Sequence, residues 1–352
     1  MPRHEIVIED NNSTHASILS ESGLSAVQTT CKPRDISVVV STYNRADVLP
    51  KAIRCLREQD LDPGQYEIIV VDNNSTDHTR QVVESFGGST PKLVYVFEPR
   101  QGVSYGRNTG ISVASAPVIA FTDDDVRVSR NWLSTILTVL AAHPEAAGVG
   151  GRVLPNWTGP WPAWLSTEHW GPLALLDYGD QPLYVNASRR LCLITANAAY
   201  RRDVFERIGM FAPHVQAVGR EVATEDHELL LRLWRAGGQA LYWPVLTATA
   251  DVVPERMRRR YHRRWHRRHG RFTAIMHDED LEQTKIGRFL GAPAHVYRQA
   301  ASNLGGWLGQ LLRLNATAAF AHEVRLWSCL GFLTTRWAEF LSGARRAAKR
   351  AK

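Results

Sequence analysis

Cysteine is scarce. Cys31, Cys55, Cys192 and Cys329 are the only four in 352 residues, and no two form a C-x-x-C pair. Neither a disulfide framework nor a zinc knuckle is suggested, and the thiols are expected to be reduced and mostly buried. Long apolar runs are missing too. The charge-free stretch Ala301 to Leu312 falls short of the roughly 20 residues that a membrane-spanning helix needs. No transmembrane helix is expected. Residues Met1 to Thr30 are polar and acidic, without the basic start and apolar run of a signal peptide. The expectation is a cytoplasmic chain with a polar, flexible leader over residues 1–34. Neither G-x-G-x-x-G nor G-x-x-x-x-G-K-[ST] occurs, which argues against a dinucleotide dehydrogenase or a P-loop enzyme. No internal repeat or low-complexity linker divides the chain.

What is present is the composition of an ordinary globular protein, 44% hydrophobic and 22% charged. The net charge of +7 is unevenly spread. Arg256 to Arg271 holds nine arginines and no acid, and Arg345 to Lys352 holds five further bases. Setting those fourteen aside leaves 28 bases against 35 acids, a net of −7. A basic surface is therefore confined to the C-terminal third.

Along the chain, Ile36–Val40 is a charge-free β-branched run, the mark of a strand buried on both faces of a parallel sheet. A helix between Ala46 and Gln59 follows, with Leu49, Ile53 and Leu56 on one face, and Asp62-Pro63-Gly64 turns the chain. Strands are expected at Glu67–Val71, Leu93–Phe97 and Val118–Phe121. Helices between them run from a cap at Asp77 to Phe86 and over Val103–Ala114. Ser129 is expected to cap a helix carrying Trp132, Leu133, Ile136, Leu137 and Leu140. The alternation is that of a doubly wound, mostly parallel α/β sheet. From Pro155 to Pro182 the text turns to Pro, Gly and Trp and reads as an ordered loop over one end of the sheet. A helix over Asp226–Ala236 and a strand over Ala240–Val245 follow, and beyond Pro254 the chain reads as all helical.

Open parallel sheets bind ligands outside the carboxyl ends of their strands. Those ends read Ser41-Thr42-Tyr43-Asn44-Arg45, Asp72-Asn73-Asn74-Ser75-Thr76-Asp77 and Thr122-Asp123-Asp124-Asp125. Three adjacent aspartates repel one another at neutral pH, and a divalent cation commonly neutralises such a site. Asp123 and Asp125 share a side if the strand geometry persists. The competing explanation is a solvated acidic turn before the next helix. Asp72 stands where an acid often accepts hydrogen bonds from a ribose or base, and D-N-N-S-T-D is also a good helix start. Gly102, Gly106 and Gly110 are spaced by four, which suits helix packing or a close approach to a ligand.

Four segments occur in order: Ile36-Ser-Val-Val-Val-Ser-Thr-Tyr-Asn-Arg45, Val70-Val-Asp-Asn-Asn-Ser-Thr-Asp77, Gly106-Arg-Asn-Thr-Gly110 and Phe121-Thr-Asp-Asp-Asp125, with Thr224-Glu225-Asp226 downstream. Together they resemble the family-2 glycosyltransferases of GT-A fold, over about Asp35 to Val252. The resemblance implies a Rossmann-like nucleotide-binding half, an acceptor half and, here, a C-terminal helical extension. It implies a catalytic domain over 35–252 and a basic, amphipathic helical region over 253–352.

By position, the resemblance implies that Thr42, Tyr43 and Asn44 line the base pocket of a nucleotide-sugar, with a UDP-sugar favoured. Asp72 would bind base or ribose, and Arg107 would lie near the donor. Asp123 and Asp125 stand at the D-x-D places. Asp125 is then the likelier ligand of Mg²⁺ or Mn²⁺, Asp123 faces ribose or metal, and Asp124 is a further candidate. Asp226 matches the general base of a single-displacement, inverting transfer, with Glu225 next to it as the alternative. Many relatives carry a metal-binding His just before a Val-Pro pair. This chain has Asp251-Val252-Val253-Pro254 instead, so Asp251 either coordinates the metal or that ligand is missing.

The leading expectation is an inverting enzyme of cell-surface glycan or polysaccharide synthesis, acting on a saccharide or lipid-linked acceptor. One alternative is a sugar-phosphate nucleotidyltransferase, which usually has a Gly-rich N-terminal loop. Another is a nucleic-acid-binding protein using the Arg256–Arg271 helix; no nucleic acid is favoured, because the rest of the chain is acidic. Trp157, Trp161, Trp164 and Trp170 offer indole faces for a sugar acceptor or for core packing. His262, His266 and His269 have helical spacing that suits zinc, which the neighbouring arginines would repel. Met257, Tyr261 and Trp265 form an apolar stripe that turns inward and leaves the guanidinium groups to clamp a diphosphate, a lipid-linked acceptor or anionic lipid headgroups. Peripheral attachment to the inner face of the cell membrane is the corresponding expectation.

Overall fold

A computed structural model of the chain describes residues 34–88, 90–213, 225–276 and 287–350, with the side chains of 343–350 excepted. Nearly all of the expected leader, Cys31, Thr224 and the side chains of the basic tail lie outside the described residues.

Four parallel strands form one half of the main sheet: β1 (Ile36–Thr42), β2 (Tyr66–Asp72), β3 (Lys92–Phe97) and β4 (Val118–Asp123). Every residue of β2 is buried, and β1 and β4 are buried almost throughout, as their β-branched runs require. Alternation sends Ile36, Val38 and Val40 into one core and Val39 into the other. Helix α1 (Leu49–Arg57) buries Leu49, Ala52, Ile53 and Leu56. Helix α2 (Thr79–Ser85) starts where Asp77 accepts the Thr79 N–H at 3.0 Å, and α3 (Val103–Val113) lies on the opposite face. A side chain at Gly106 would place Cβ 2.2 Å from Ser41 Oγ, and one at Gly110 2.3 Å from Val39 Cγ1. The four-residue glycine spacing therefore seats α3 on β1.

The other half of the sheet is mixed. The strand order is β3-β2-β1-β4-β8-β6-β9-β5, using β5 (Val126–Val128), β6 (Gly148–Trp157), β8 (Ala198–Arg201) and β9 (Ala240–Val252), with β7 (Leu183–Val185) also pairing with β9. Strand β8 runs antiparallel to both β4 and β6, so β6 runs with β4, and β9 runs parallel to β6. The ends of β6 and β9 consequently share an edge with Asp72 and Asp123. Strand β5 folds back after Asp125 and pairs Val126 with Ala250.

Helix α4 (Trp132–Ala142) exists as expected, but Ser129 does not cap it. The Ser129 hydroxyl is buried without a partner among the described residues, and Gln59 Oε1 accepts the Leu133 N–H at 3.1 Å while its amide donates to the Ser129 and Cys55 carbonyls. Strand β5 turns Ser129 away from that role. Helices α5 (Arg202–Ile208) and α6 (Glu225–Arg235) complete the second face. The Trp-rich stretch extends β6 before becoming two 3-10 turns, Thr167–His169 and Gly171–Leu173.

Past Pro254 lie α7 (Arg259–Met276), α8 (Ala294–Leu312) and α9 (Ala316–Arg350). A small hairpin, β10 (Arg288–Phe289) with β11 (Ala292–Pro293), interrupts the expected all-helical text, turning on Leu290 and Gly291, both at positive φ. Helices α7 and α9 cross at backbone contact. A Cβ on Gly270 would lie 1.9 Å from the Ser328 carbonyl oxygen, and one on Gly331 2.0 Å from that of Arg267. Met257 is buried in the core of the main sheet, Tyr261 donates to the Pro172 carbonyl at 3.0 Å, and Trp265 packs near Gly171. The apolar stripe thus faces the 3-10 turns. Several arginines are engaged and not free. Arg263 pairs with Glu323, Arg259 lies over Trp164 and Phe320, and Arg267 lies over Trp327.

Candidate active site

Strand register brings the three polar ends together: Thr42 lies opposite Asp72, and Ser41 opposite Asp123. Asp72 is buried, and both its oxygens are used. Oδ1 accepts the Ser75 N–H at 2.9 Å and Oδ2 the Tyr95 hydroxyl at 2.9 Å. Asn44 adopts positive φ (50°), and its Oδ1 accepts the Thr76 N–H at 2.7 Å, which ties the β1 and β2 loops together. Tyr43 is exposed beside them, so its ring is available to a planar base. Thr42 differs. Its hydroxyl is buried and donates to Asp124 Oδ2 at 2.6 Å.

The three aspartates diverge. Asp124 is buried between Thr42 and Arg45; burial pushes its pKa up to about 6 against the pull of Arg45 and the Thr42 hydroxyl. Asp125 accepts from Arg45 Nη1, the same nitrogen that reaches Asp124 Oδ1 at 3.0 Å. Asp123 turns the other way, toward Arg107 Nη2 at 3.2 Å. Arg107 is buried at the centre of an acidic group, paired with Glu225 and 3.6 Å from Asp226 Oδ1.

Asp226 Oδ1 accepts the Thr195 hydroxyl at 2.7 Å. Burial, then the neighbouring Glu225 carboxylate, pushes the Asp226 pKa up to about 7, with Arg107 and Thr195 acting in the opposite sense. A carboxylate poised there can hold or release a proton at physiological pH. Glu225 Oε2 is buried with no hydrogen-bond partner among the described residues.

Divalent cations of the Mg²⁺ or Mn²⁺ type take one or two carboxylates and complete their shell with phosphate oxygens and water. The hard oxygens of Asp123 and Asp125 fit that mode. No group of three His, Cys, Asp or Glu among the described residues forms a ready cage. The site therefore suits a cation that arrives with a diphosphate. Asp251 lines the same small cleft as Asp125, but its carboxylate is held by Arg127 and by Asn156 Nδ2 at 2.7 Å. Those two contacts occupy it with protein partners. His262 bonds the Arg256 carbonyl and His266 the Ser328 hydroxyl, while His269 stacks on Trp265, so the three imidazoles serve packing.

At the edge shared with the acids, Asn156 pairs with Asp251 and Trp157 with Val252. Trp161 stacks on Trp157 with centroids 5.4 Å apart and leaves 56% of its surface exposed. Trp164 instead lies edge-on to His262 and Phe320, binding the loop to the C-terminal helices. Arg45 and Thr195 were not given roles from the sequence. Arg45 does end the first motif, whereas Thr195, in a 3-10 turn 31 residues before Asp226, carries no local signal.

A parallel α/β half, an acidic strand end and a partly buried carboxylate across Arg107 from it make up a fold of GT-A type. Residues 37–209 match the family Glycosyl transferase family 2, and this segment is a domain of that family. Among its relatives is the glucosyl-dolichyl phosphate glucuronosyltransferase of Haloferax volcanii, 24% identical over 212 residues, covering 59% of this chain and 66% of that protein. Glycosyltransferase AglE of the same organism is 29% identical over 188 residues, covering 52% of this chain and 58% of that one. The chain thus spans about two thirds or less of these relatives. In overall fold it is similar to the mannosyltransferase PcManGT from Pyrobaculum calidifontis, solved with GDP-Man and Mn²⁺, with a TM-score of 0.58, 20% identity and 88% of each chain covered.

Proposed function

We propose that this chain transfers a sugar from a nucleotide-diphospho-sugar to a saccharide or lipid-linked acceptor, with inversion, in the building of a cell-surface glycan. Residues 35–252 are the catalytic domain in this reading. The observation that carries it is Asp226, a partly buried carboxylate that accepts from the Thr195 hydroxyl at 2.7 Å and lies 3.6 Å from Arg107, across that guanidinium from Asp123. Asp226 takes the acceptor hydroxyl proton as that oxygen attacks the anomeric carbon, and the bond from carbon to the diphosphate breaks on the opposite face. Asp125, with Asp123, would hold Mg²⁺ or Mn²⁺, which when bound supplies Lewis-acid stabilisation of the leaving diphosphate. Arg107 opposes the protonation that burial favours in the clustered carboxylates.

On the donor side Tyr43, Asn44 and Asp72 surround the base and ribose, and a UDP-sugar is the first candidate. The resemblance to a GDP-Man complex makes a GDP-sugar the second. The stacked Trp157–Trp161 pair supports an acceptor sugar ring at the mouth of the cleft. The dolichyl phosphate relative supports a lipid-linked acceptor. Such an acceptor places the enzyme on the inner face of the membrane, where bases between Arg256 and Lys352 each contribute about 1 kcal/mol near an anionic surface.

The test is a panel of UDP- and GDP-sugars with Mn²⁺, read by thermal stabilisation and then by nucleotide release with an acceptor. A true donor at 100 times its Kd adds about 2.7 kcal/mol to stability. Stabilisation by none of them, and no acceptor-dependent nucleotide release, would refute the proposal.

A further inference from the structure

Helix α8 has two flanks of opposite fate. Val296 is buried and Ala300 partly buried against α9, where Asn303 meets His322 and Gly306 leaves room for the same imidazole. The adjoining flank is not covered by any of the described residues. Leu304, Leu308 and Leu311 are 44%, 50% and 43% exposed, and Leu312 and Leu314, at the turn into α9, are 87% and 92% exposed. The spacing of 304, 308, 311 and 312 puts these leucines in one stripe along the helix. Exposed leucines scattered singly are ordinary, but five at one end of one helical hairpin make a contiguous apolar patch that calls for an occupant.

Charge selects that occupant. From Gly287 to His322 the chain contains no Asp or Glu. The first acid after it, Glu323, is already paired with Arg263. Arg298 and Arg313 are exposed at either end of the leucine stripe, and Arg258, just before α7, and Arg260 and Arg271 on it are exposed too. A second copy of the chain would set this acid-free, arginine-flanked face against itself. An apolar layer rimmed by phosphates complements it in both respects. No helix among the described residues is long and apolar enough to cross a membrane, so an in-plane seat is the one α8 can take.

We propose that α8 and the α8–α9 turn form a monotopic membrane-docking surface. The leucine flank enters the acyl boundary of a lipid leaflet, and Arg298 and Arg313 lie at the level of anionic headgroups. The proposal rests on the membrane-side reading of the basic residues given above and adds a hydrophobic anchor to it. Charge brings the protein to the surface, and the leucines hold it there after the charges are screened.

The experiment uses the full chain and vesicles of phosphatidylcholine with and without phosphatidylglycerol. Sedimentation is measured at low salt and after a high-salt wash, for the wild type and for the double variant Leu308→Gln, Leu312→Gln. Both positions are on the surface, so the variant should keep its melting temperature and its nucleotide-sugar binding, which serve as controls. Wild type should bind the anionic vesicles at low salt and largely resist the wash. The variant should bind at low salt and be released by the wash, with its retained partitioning lowered about 10-fold or more. Complete release of wild type by salt would overturn the leucine anchor and leave electrostatic attachment standing. No binding of wild type even at low salt would remove both, with donor binding in the same samples still reporting on the enzyme reading. Light scattering that shows a wild-type dimer turned monomeric by the variant, without any vesicle effect, would assign the face to a second copy and overturn the proposal.

Discussion

Arg45 holds Asp125 through the same guanidinium nitrogen that reaches Asp124 at 3.0 Å. Burial works against the charge on Arg45, and the two carboxylates outweigh it, so its pKa is raised. A cation that binds Asp125 therefore competes with an internal one. The residue that closes the first sequence motif thus offsets part of the charge of Asp124 and Asp125.

That competition sets the first prediction. Asp125→Ala should keep the fold and abolish metal-dependent nucleotide-diphosphate binding, and Asp123→Ala should weaken it less. Arg45→Gln should raise the affinity for Mn²⁺ alone by about 3- to 10-fold, the scale of a partly exposed pair worth about 1 kcal/mol. Calorimetry without donor reads this directly. An Arg45 variant with unchanged Mn²⁺ affinity would show that the pair does not guard the site.

A second prediction concerns Asp226. Asp226→Asn should leave donor affinity within a few fold and lower transfer by about 10²–10⁴. Because the base must be deprotonated and its pKa is pushed up to about 7, activity should rise with pH through a midpoint far above the ordinary carboxylate range. Glu225→Gln removes the neighbouring negative charge, so the midpoint should move to lower pH. A pH–rate profile that is flat from about pH 5 to 8 would mean a base that titrates in the ordinary carboxylate range, near 3.9, and would overturn the raised pKa of Asp226.

The buried imidazoles make stability depend on pH. Burial lowers His262 from 6.5 to about 4 and His266 to about 3, and burial lowers His169 as well. Such a group takes up its proton more readily when unfolded, so stability is full above about 6.5 and falls as pH drops toward the folded value. For His262 alone the loss at pH 5 relative to pH 8 is about 2 kcal/mol. Melting temperatures across this range should show it, and His262→Phe should flatten the profile. The loss should fall on the C-terminal helices, because His262 and His169 pack on Trp164 and Phe320 between the loop and α9.

The exposed indole gives a fourth. Trp161→Ala should raise the KM for a saccharide acceptor by about 3- to 10-fold, the worth of an aromatic face at about 0.5–1.5 kcal/mol. Donor affinity should not change, since Trp161 follows β6, which β4 and β8 separate from β1 and β2 in the sheet. Equal losses in donor and acceptor binding would point to a general collapse of the loop.

The amino-acid sequence by itself determined the parallel half of the sheet. Strands buried on both faces must be continuous apolar runs, and parallel strands joined by helices must end on one edge, so the polar words after β1, β2 and β4 could be assigned to one site before any coordinate was known. Tertiary structure alone decided what those words do to one another. Arg45 is 79 residues from Asp124, Arg107 is 118 from Glu225, and Gln59 is 74 from the Leu133 amide that it caps. Pairings of that separation leave no periodicity to read. The same holds for the leucines of α8. Sequence shows that Leu304, Leu308, Leu311 and Leu312 share a flank, but whether a neighbour covers it depends on how α8 rotates against α9, which is set by packing at Val296, Asn303 and Gly306.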